Sequence, residues 1–313
     1  MISKKSYSVE IDIDLAMDIE QILNGGFFPL TTFLDKKSLE SVLKNMRLPT
    51  GEVWSIPVLF PKKFDRQINS INRLLLKFQG KDFAIIENPE TFEYNLDKLI
   101  SLFYGTDNPE HPGVQITKKS PHVFITGKLL RVNKLAKILN INYLEPNDVK
   151  SIIKKKCWKK VVGFHTRNPP HSAHEYIHKS VLKDSDALLL HPVIGSKRKG
   201  DFTSEAIMKS YELYVEKYLP KDRVILTPLL TYSRYAGPRE AIFTAIVRRN
   251  YGCTHFIIGR DHTGVKNFYG KYDSQKIFQN FKDINIEIIP FSEPFYCQKS
   301  NAITTKEECS YGD

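Results

Sequence analysis

Four short segments of this sequence concentrate residues that handle anions. In His165-Thr166-Arg167-Asn168-Pro169-Pro170-His171-Ser172-Ala173-His174, an apolar run ends at Phe164 and two prolines stop it from continuing as a strand. His171 and His174 then fall at i and i+3 in the first turn of a helix, so their rings share a face. A helix N-terminus offers free N–H groups and a partial positive charge; two imidazoles and Arg167 added there build a receptor for polyphosphate. A structural histidine pair or part of a zinc site is the competing reading of an isolated HxxH. Arg167 and Asn168, directly before it on the same loop, favour the anion site.

The other three segments have the same character. Gly195-Ser196-Lys197-Arg198-Lys199-Gly200-Asp201 sets three cations between two glycines. A solvated turn is the usual meaning of such a run, but its place after the apolar residues Ala187 to Leu190 favours a mobile basic lid over bound phosphates. In Ser233-Arg234-Tyr235-Ala236-Gly237-Pro238-Arg239-Glu240, Gly237 and Pro238 precede a helix and leave backbone N–H groups to face a ligand. Arg234 can fork onto a tetrahedral oxyanion with two hydrogen bonds; the alternative is an ordinary helix start. Gly259-Arg260-Asp261-His262-Thr263-Gly264 has glycines that permit close approach and polar residues able to contact a nucleoside.

Elements with one common edge must position these segments. Apolar runs at Val161 to Phe164, Ala187 to Ile194, Val224 to Leu230, Thr254 to Ile258 and Ile284 to Phe291 read as strands. Helical spacing between them covers His171 to Leu182, Ser204 to Tyr218, Arg239 to Asn250 and Ser274 to Phe281. Strands alternating with helices predict an open parallel α/β sheet, which binds ligands beyond the carboxyl ends of its strands where strand order reverses. The four anion-handling segments directly follow the first four strands. Residues 1 to about 130 read as a β-rich module with a few helices: short runs at Ile56 to Phe60, Arg73 to Lys77, Phe83 to Ile86 and His122 to Ile125, and turn signals such as Asn24-Gly25-Gly26 and Pro49-Thr50-Gly51. Asn147 to Lys156, polar and rich in lysine, reads as the connector, and neither an internal repeat nor a low-complexity segment is present.

Composition bounds the rest. At ~150 residues per domain, 313 residues allow two domains, and 41% apolar residues can fill a core in each. The net charge of +11 is spread evenly, with 23 Lys and Arg against 18 Asp and Glu through Cys157 and 23 against 17 after it. Such a surface favours anionic partners without separating nucleic acid from a small phosphate-bearing substrate. Four cysteines without a CxxC pair give no disulfide framework and fit a reducing compartment. The first residues lack the apolar core of a signal peptide, and no run approaches the ~18 apolar residues of a spanning helix. The expectation is a soluble cytoplasmic protein with no membrane association.

Taken together the motifs resemble the ATP sulfurylase (sulfate adenylyltransferase) family of the HxxH nucleotidyltransferases. RNPPHSAHE, YAGPREA and GRDHTGV stand in the family's order and spacing. Gly26-Phe27-Phe28-Pro29-Leu30-Thr31-Thr32-Phe33 is similar to its G-x-x-SPL-x-GF segment, and Gly105-Thr106-Asp107 with His111-Pro112-Gly113-Val114 to its GT-x-x-x-HPGV segment. The likeness runs from about Asp18 to Tyr296 and implies a PUA-like N-terminal domain, residues 1–157, and a Rossmann-like catalytic domain, residues 158–313. The implied reaction joins ATP and sulfate into adenosine 5′-phosphosulfate and pyrophosphate. By motif position, Arg167 holds sulfate with His165 and the backbone of Ala236, and Arg234 neutralises the reacting anions. His171 and His174 face the ATP phosphates, Asn168 contacts the α-phosphate, and Thr166, Arg198, Gly259, Arg260, Asp261 and His262 complete the ATP site. Mg²⁺ accompanies ATP, the protein supplies no metal site of its own, and a homo-oligomer is implied.

The sequence departs from the family in three places. His165 stands where a glutamine usually ligates sulfate; a neutral imidazole still donates one hydrogen bond, so anion strength, pH dependence or choice should change. The zinc ligands of some relatives fall here on Cys297, Ser300, Cys309 and Asp313, a poor tetrahedral set, so no structural zinc is expected. A further helical segment with an S-G-T-x-x-R stretch is absent, which fits either a compact variant or part of a longer chain. Two other readings therefore stand beside sulfate activation: a related nucleotidyltransferase with an altered oxyanion or an inactive relative, and an RNA-binding protein. The last is opposed by the low charge of the first domain and the lack of an RNP-type aromatic pattern.

Overall fold

The structure, a computed structural model, describes residues 6–68, 71–196, 200–260 and 262–309. The first half builds a five-stranded sheet from β1 (Ser6–Glu10), β2 (Phe60–Pro61), β3 (Arg73–Phe78), β4 (Lys81–Glu93) and β5 (Val123–Arg131), in the order β1-β3-β4-β5-β2. Helices α1 (Ile13–Leu23), α2 (Lys36–Asn45), α3 (Leu96–Tyr104) and α4 (Pro112–Lys118) are interspersed with these strands. Asp12, Asp35 and Asn95 start the first three by accepting a hydrogen bond from the backbone of Leu15, Ser38 and Lys98. Short α5 (Leu135–Leu139) and α6 (Pro146–Lys155) then lead to the second half, α6 where the connector was expected.

The strand readings of this half need correction. Of Ile56 to Phe60 only Phe60 pairs, continuing to Pro61. β4 runs far beyond Ile86, because Glu87-Asn88-Pro89, which looks like a turn, is absorbed as a bulge between Glu87 and Glu90 with Asn88 at φ +48°.

The second half is the expected parallel sheet. Strands β6 (Val161–Thr166), β7 (Ala187–Pro192), β8 (Val224–Leu226), β9 (His255–Ile258) and β10 (Glu287–Pro290) lie in the order β10-β9-β6-β7-β8, and all pair in parallel. Helices α7 (Ser172–Lys183), α8 (Ser204–Tyr218) and α9 (Pro238–Asn250) agree with the helical spacing to within a residue or two. α10 (Asp273–Lys276) is shorter than expected and passes into 3-10 turns, and Asn285 at φ +58° delays β10. A hairpin, β11 (Phe295–Cys297) with β12 (Ala302–Thr304), follows. Strand order reverses between β6 and β9, so a ligand crevice belongs at their carboxyl ends. No helix of the described residues is long and apolar enough to cross a membrane.

Alternation along the strands assigns each residue to a face. Val162, Phe164, Leu188 and Leu190 pack with Ile177, Val181, Ile207 and Tyr211 of α7 and α8. Val161, Ala187 and Leu189 face the other way, into a core that includes α9 and continues without a break into the first half. Phe27 and Trp54 meet Phe243 with ring centroids 5.0 and 5.6 Å away.

Polar ties follow the same seam. Asn250 Nδ2 donates to the carbonyls of Gly26 (2.9 Å) and Phe28 (2.6 Å), and Arg239 donates to Val42 O and Leu43 O at the end of α2. Asp18 on α1 forms a buried ion pair with Arg234. Replacing Asp18 by Asn keeps the shape and removes the charge, leaving the guanidinium buried and unbalanced. Urea unfolding should show a loss of about 3–5 kcal/mol, most of it recovered when Arg234→Met is added; a loss below about 1 kcal/mol would show that this pair does not hold the halves together.

Candidate active site

β6 ends at Thr166, and its in-register neighbour β7 brings His191 beside His165. His165 follows Val161 and Gly163 on the α9 face, whereas Thr166 points toward α8. Beyond the strand, Arg167 and Asn168 are exposed at the loop tip; Arg167 Nη1 makes a long hydrogen bond to Ser233 Oγ, 3.4 Å. His171 is the N-cap residue of α7 and makes no cap bond with its ring, which stacks on His174 at 3.8 Å and 29°. The i, i+3 spacing has therefore produced the shared face.

These imidazoles are neutral by construction. His174 lies against Phe164, with Nδ1 3.4 Å from Tyr211 Oη, and burial followed by the neighbouring His171 holds it down at about 3. Burial also lowers His171. His165 has a buried Nδ1 without a partner, and burial, with the charge of Arg248 behind it, pushes it well below its ordinary value. His262 sits 5.5 Å from His165, contacts Thr244 Oγ1 through Nε2 at 3.1 Å, and is held down at about 3 by burial and then by Arg248. Neutral rings can donate one hydrogen bond each without carrying a charge that must be desolvated.

The walls enclose a polar cavity of about 300 Å³ lined by His165, Thr166, Arg167, Asn168, His174, Ser233, Tyr235, Glu240, Arg260, His262, Thr263 and Gly264. A second lobe of about 490 Å³ shares Arg167, Tyr235 and Gly264 with it and is closed by Pro112, Gln115 and Ile116 of α4. The first half thus forms part of the cleft, with His111 Nε2 3.2 Å from Tyr269 Oη, which also donates to Tyr235 O. Tyr235 and Thr263 line the cleft at φ +59° and +57°, sparsely populated values for side chains of this size that fit a site held by its surroundings. Gly237, at φ +49°, could not bear a Cβ, which would lie 2.5 Å from the Tyr269 ring.

The cleft thus brings together most of the residues expected from sequence, while two of them, Arg234 and Ala236, are engaged by protein groups in this structure. Arg234 is 9% exposed, and its guanidinium is bonded to Asp18 and Tyr232, which balances its charge within the protein. Ala236 does not present a free N–H: it donates to Glu240 Oε2 at 3.1 Å, while Arg234 N–H donates to Oε1 at 2.8 Å. Arg260 lines the cleft but pairs with Glu293 at 2.9 Å. Arg198, with the rest of the basic lid from Lys197 to Lys199, and Asp261 lie outside the described residues. Sequence reasoning placed Ser233, Tyr235 and Glu240 in an anion-binding segment and Thr263 and Gly264 in the nucleoside loop without singling any of them out; Glu240 stands in the GPRE motif, but its backbone partners depend on the fold.

A family model described as ATP-sulfurylase matches residues 141–313 and one described as a PUA-like domain matches residues 2–134. The chain belongs to the ATP-sulfurylase family. The sulfate adenylyltransferase of Synechococcus sp. (strain JA-3-3Ab) is 40% identical over 305 residues, covering 95% of this chain and 77% of its own. That of Ignicoccus hospitalis is 36% identical over 311 residues, 99% of this chain and 81% of its own. Among solved structures, a hexameric APS kinase from Thiobacillus denitrificans superimposes with a TM-score of 0.72 at 19% identity, over 97% of this chain and 55% of that one. It shares the fold with this ATP-sulfurylase chain, which spans about half its length.

Proposed function

We infer that this protein is a sulfate adenylyltransferase: sulfate attacks the α-phosphate of ATP in line, forming adenosine 5′-phosphosulfate and releasing pyrophosphate. The observation that carries this reading is the cleft at the β6–β9 switch point, where Arg167, Asn168 and the His171–His174 pair converge in a chain 40% identical to a sulfate adenylyltransferase. Sulfate is already a nucleophile, so no general base is required; placing two anions and stabilising charge on the α-phosphate and departing pyrophosphate is the whole task.

In this reading Arg167 binds sulfate through its free fork and His165 adds one hydrogen bond. Asn168, His171 and His174 face the phosphates, and the loop from Gly259 to Gly264 receives the nucleoside. Arg234 and Ala236 are left out of the substrate set. Mg²⁺ enters this reading as part of the MgATP substrate. Cys297 and Cys309, with Sγ atoms 3.5 Å apart, are read without a structural zinc. A domain boundary at 157/158, a homo-oligomer and a cytoplasmic setting complete the proposal.

The test is pyrophosphate release from MgATP, with sulfate, with molybdate and with neither, coupled to a pyrophosphatase. Sulfate-dependent release is expected. Release with molybdate alone would favour the altered-oxyanion reading motivated by His165, and silence from folded protein with both anions would overturn the assignment.

A further inference from the structure

The floor of the cleft hides a cation with no carboxylate partner among the described residues. Arg248, on α9, is fully buried. Among the described residues its guanidinium donates to the carbonyls of His191 (3.2 Å) and Thr244 (3.4 Å) and lies 5.5 Å from the Phe256 ring centroid, and Nε has no hydrogen-bond partner. No carboxylate lies in salt-bridge range among the described residues. Glu240, on the same helix and lining the cleft, is eight residues away, about 12 Å along the axis, and is bonded to the backbone of Arg234 and Ala236.

The ionisable groups around Arg248 supply no counter-charge either. Burial lowers His165, His191 and His262 and raises Tyr251 and Cys253, so all five are neutral at pH 7. The fold nevertheless makes room for this side chain. At Gly163, in the middle of β6, a Cβ would lie 2.6 Å from Arg248 Cγ, so the strand gives up a side chain where the arginine passes.

A buried guanidinium without a carboxylate is a large liability in a fold that could have placed a methionine there. Two of its neutral neighbours, His165 and His262, form part of the cleft wall, and Thr244, whose carbonyl it holds, touches His262 Nε2. We propose that Arg248 is a positioning cation for the oxyanion site, sealed beneath His165 and His191, whose counter-charge is the anion bound in the cleft. It polarises and orients the imidazoles that touch the anion and adds long-range attraction that water cannot screen. This rests on the sulfate adenylyltransferase reading for the identity of the anions, not for the existence of the charge.

The test compares wild type with Arg248→Met and Arg248→Lys, by thermal unfolding with and without sulfate or pyrophosphate and by the pyrophosphate-release assay. The Met variant should be at least as stable as wild type without anions, should lose most of the anion-induced rise in Tm, and should show a KM for sulfate raised tenfold or more. Lys should restore much of both effects. Unaltered anion shifts in the Met variant would overturn the proposal. So would a Met variant that fails to fold, or one that loses stability in the anion-free state, because either would make Arg248 a structural residue. The thermal arm does not need turnover, so an inactive wild type would remove the functional reading while still testing Arg248.

Discussion

Arg167→Ala should lower sulfate-dependent turnover roughly a thousandfold and leave the folded protein almost unchanged. The activity loss follows from the chemistry: a free guanidinium gives a tetrahedral anion two charge-assisted bonds, and removing one preorganised donor from such a site typically costs about 10²–10³ in rate before any loss of alignment is added. The intact fold follows from the structure. Arg167 is exposed, and among the described residues its side chain makes no ion pair and only the long contact to Ser233. Substitutions of that kind change stability by about 0.5 kcal/mol or less. Steady-state kinetics with varied sulfate and a thermal melt test both halves. Arg167→Lys should recover part of the affinity but not the fork, and an Ala variant of unchanged kcat and KM would remove the sulfate assignment.

Stability should fall steeply as pH drops from 6.5 to 5. Five imidazoles, His165, His174, His178, His191 and His262, are held well below their ordinary value by burial. Their native values are lowered, so between those values and the unfolded value near 6.5 the unfolded chain binds more protons than the native one. Stability then falls as pH falls, by about 1.4 kcal/mol per pH unit for each imidazole that stays neutral in the native state. Asp14 and Glu240, raised by burial, act in the opposite sense, but they are two groups against five. Above pH 7 the unfolded histidines are largely neutral and this contribution fades. Urea unfolding at pH 7.5, 6.5 and 5.0 should show a loss of about 2 kcal/mol over the first interval and a clearly larger one over the second. Equal midpoints at 6.5 and 5.0 would mean that these rings are hydrated and titrate normally.

Short-range signals made much of this protein legible. The continuous apolar runs and the period-3.6 spacing after Lys159 gave five parallel strands and the helices between them because both faces of that sheet are buried, which makes strands apolar throughout. His171 and His174 were legible as a pair because one helical turn brings i and i+3 together, and the loops after β6 and β9 were legible as a site because parallel connectivity puts all carboxyl ends on one edge. Tertiary structure decided what each charge does. Arg167 and Arg234 both looked like anion ligands, yet one is exposed and the other is neutralised by Asp18, 216 positions earlier. Ala236 looked like a free donor until Glu240 folded back onto it, and the bulge at Glu87 turned an apparent loop into strand. Nothing in the sequence singled out Arg248 within its helix; only the packing of α9 against Gly163 buries it under the cleft. Residue type and spacing set which groups can be charged or can donate, whereas burial and the distance to the nearest opposite charge, properties of residues far apart in the chain, decide whether that charge remains available to a substrate.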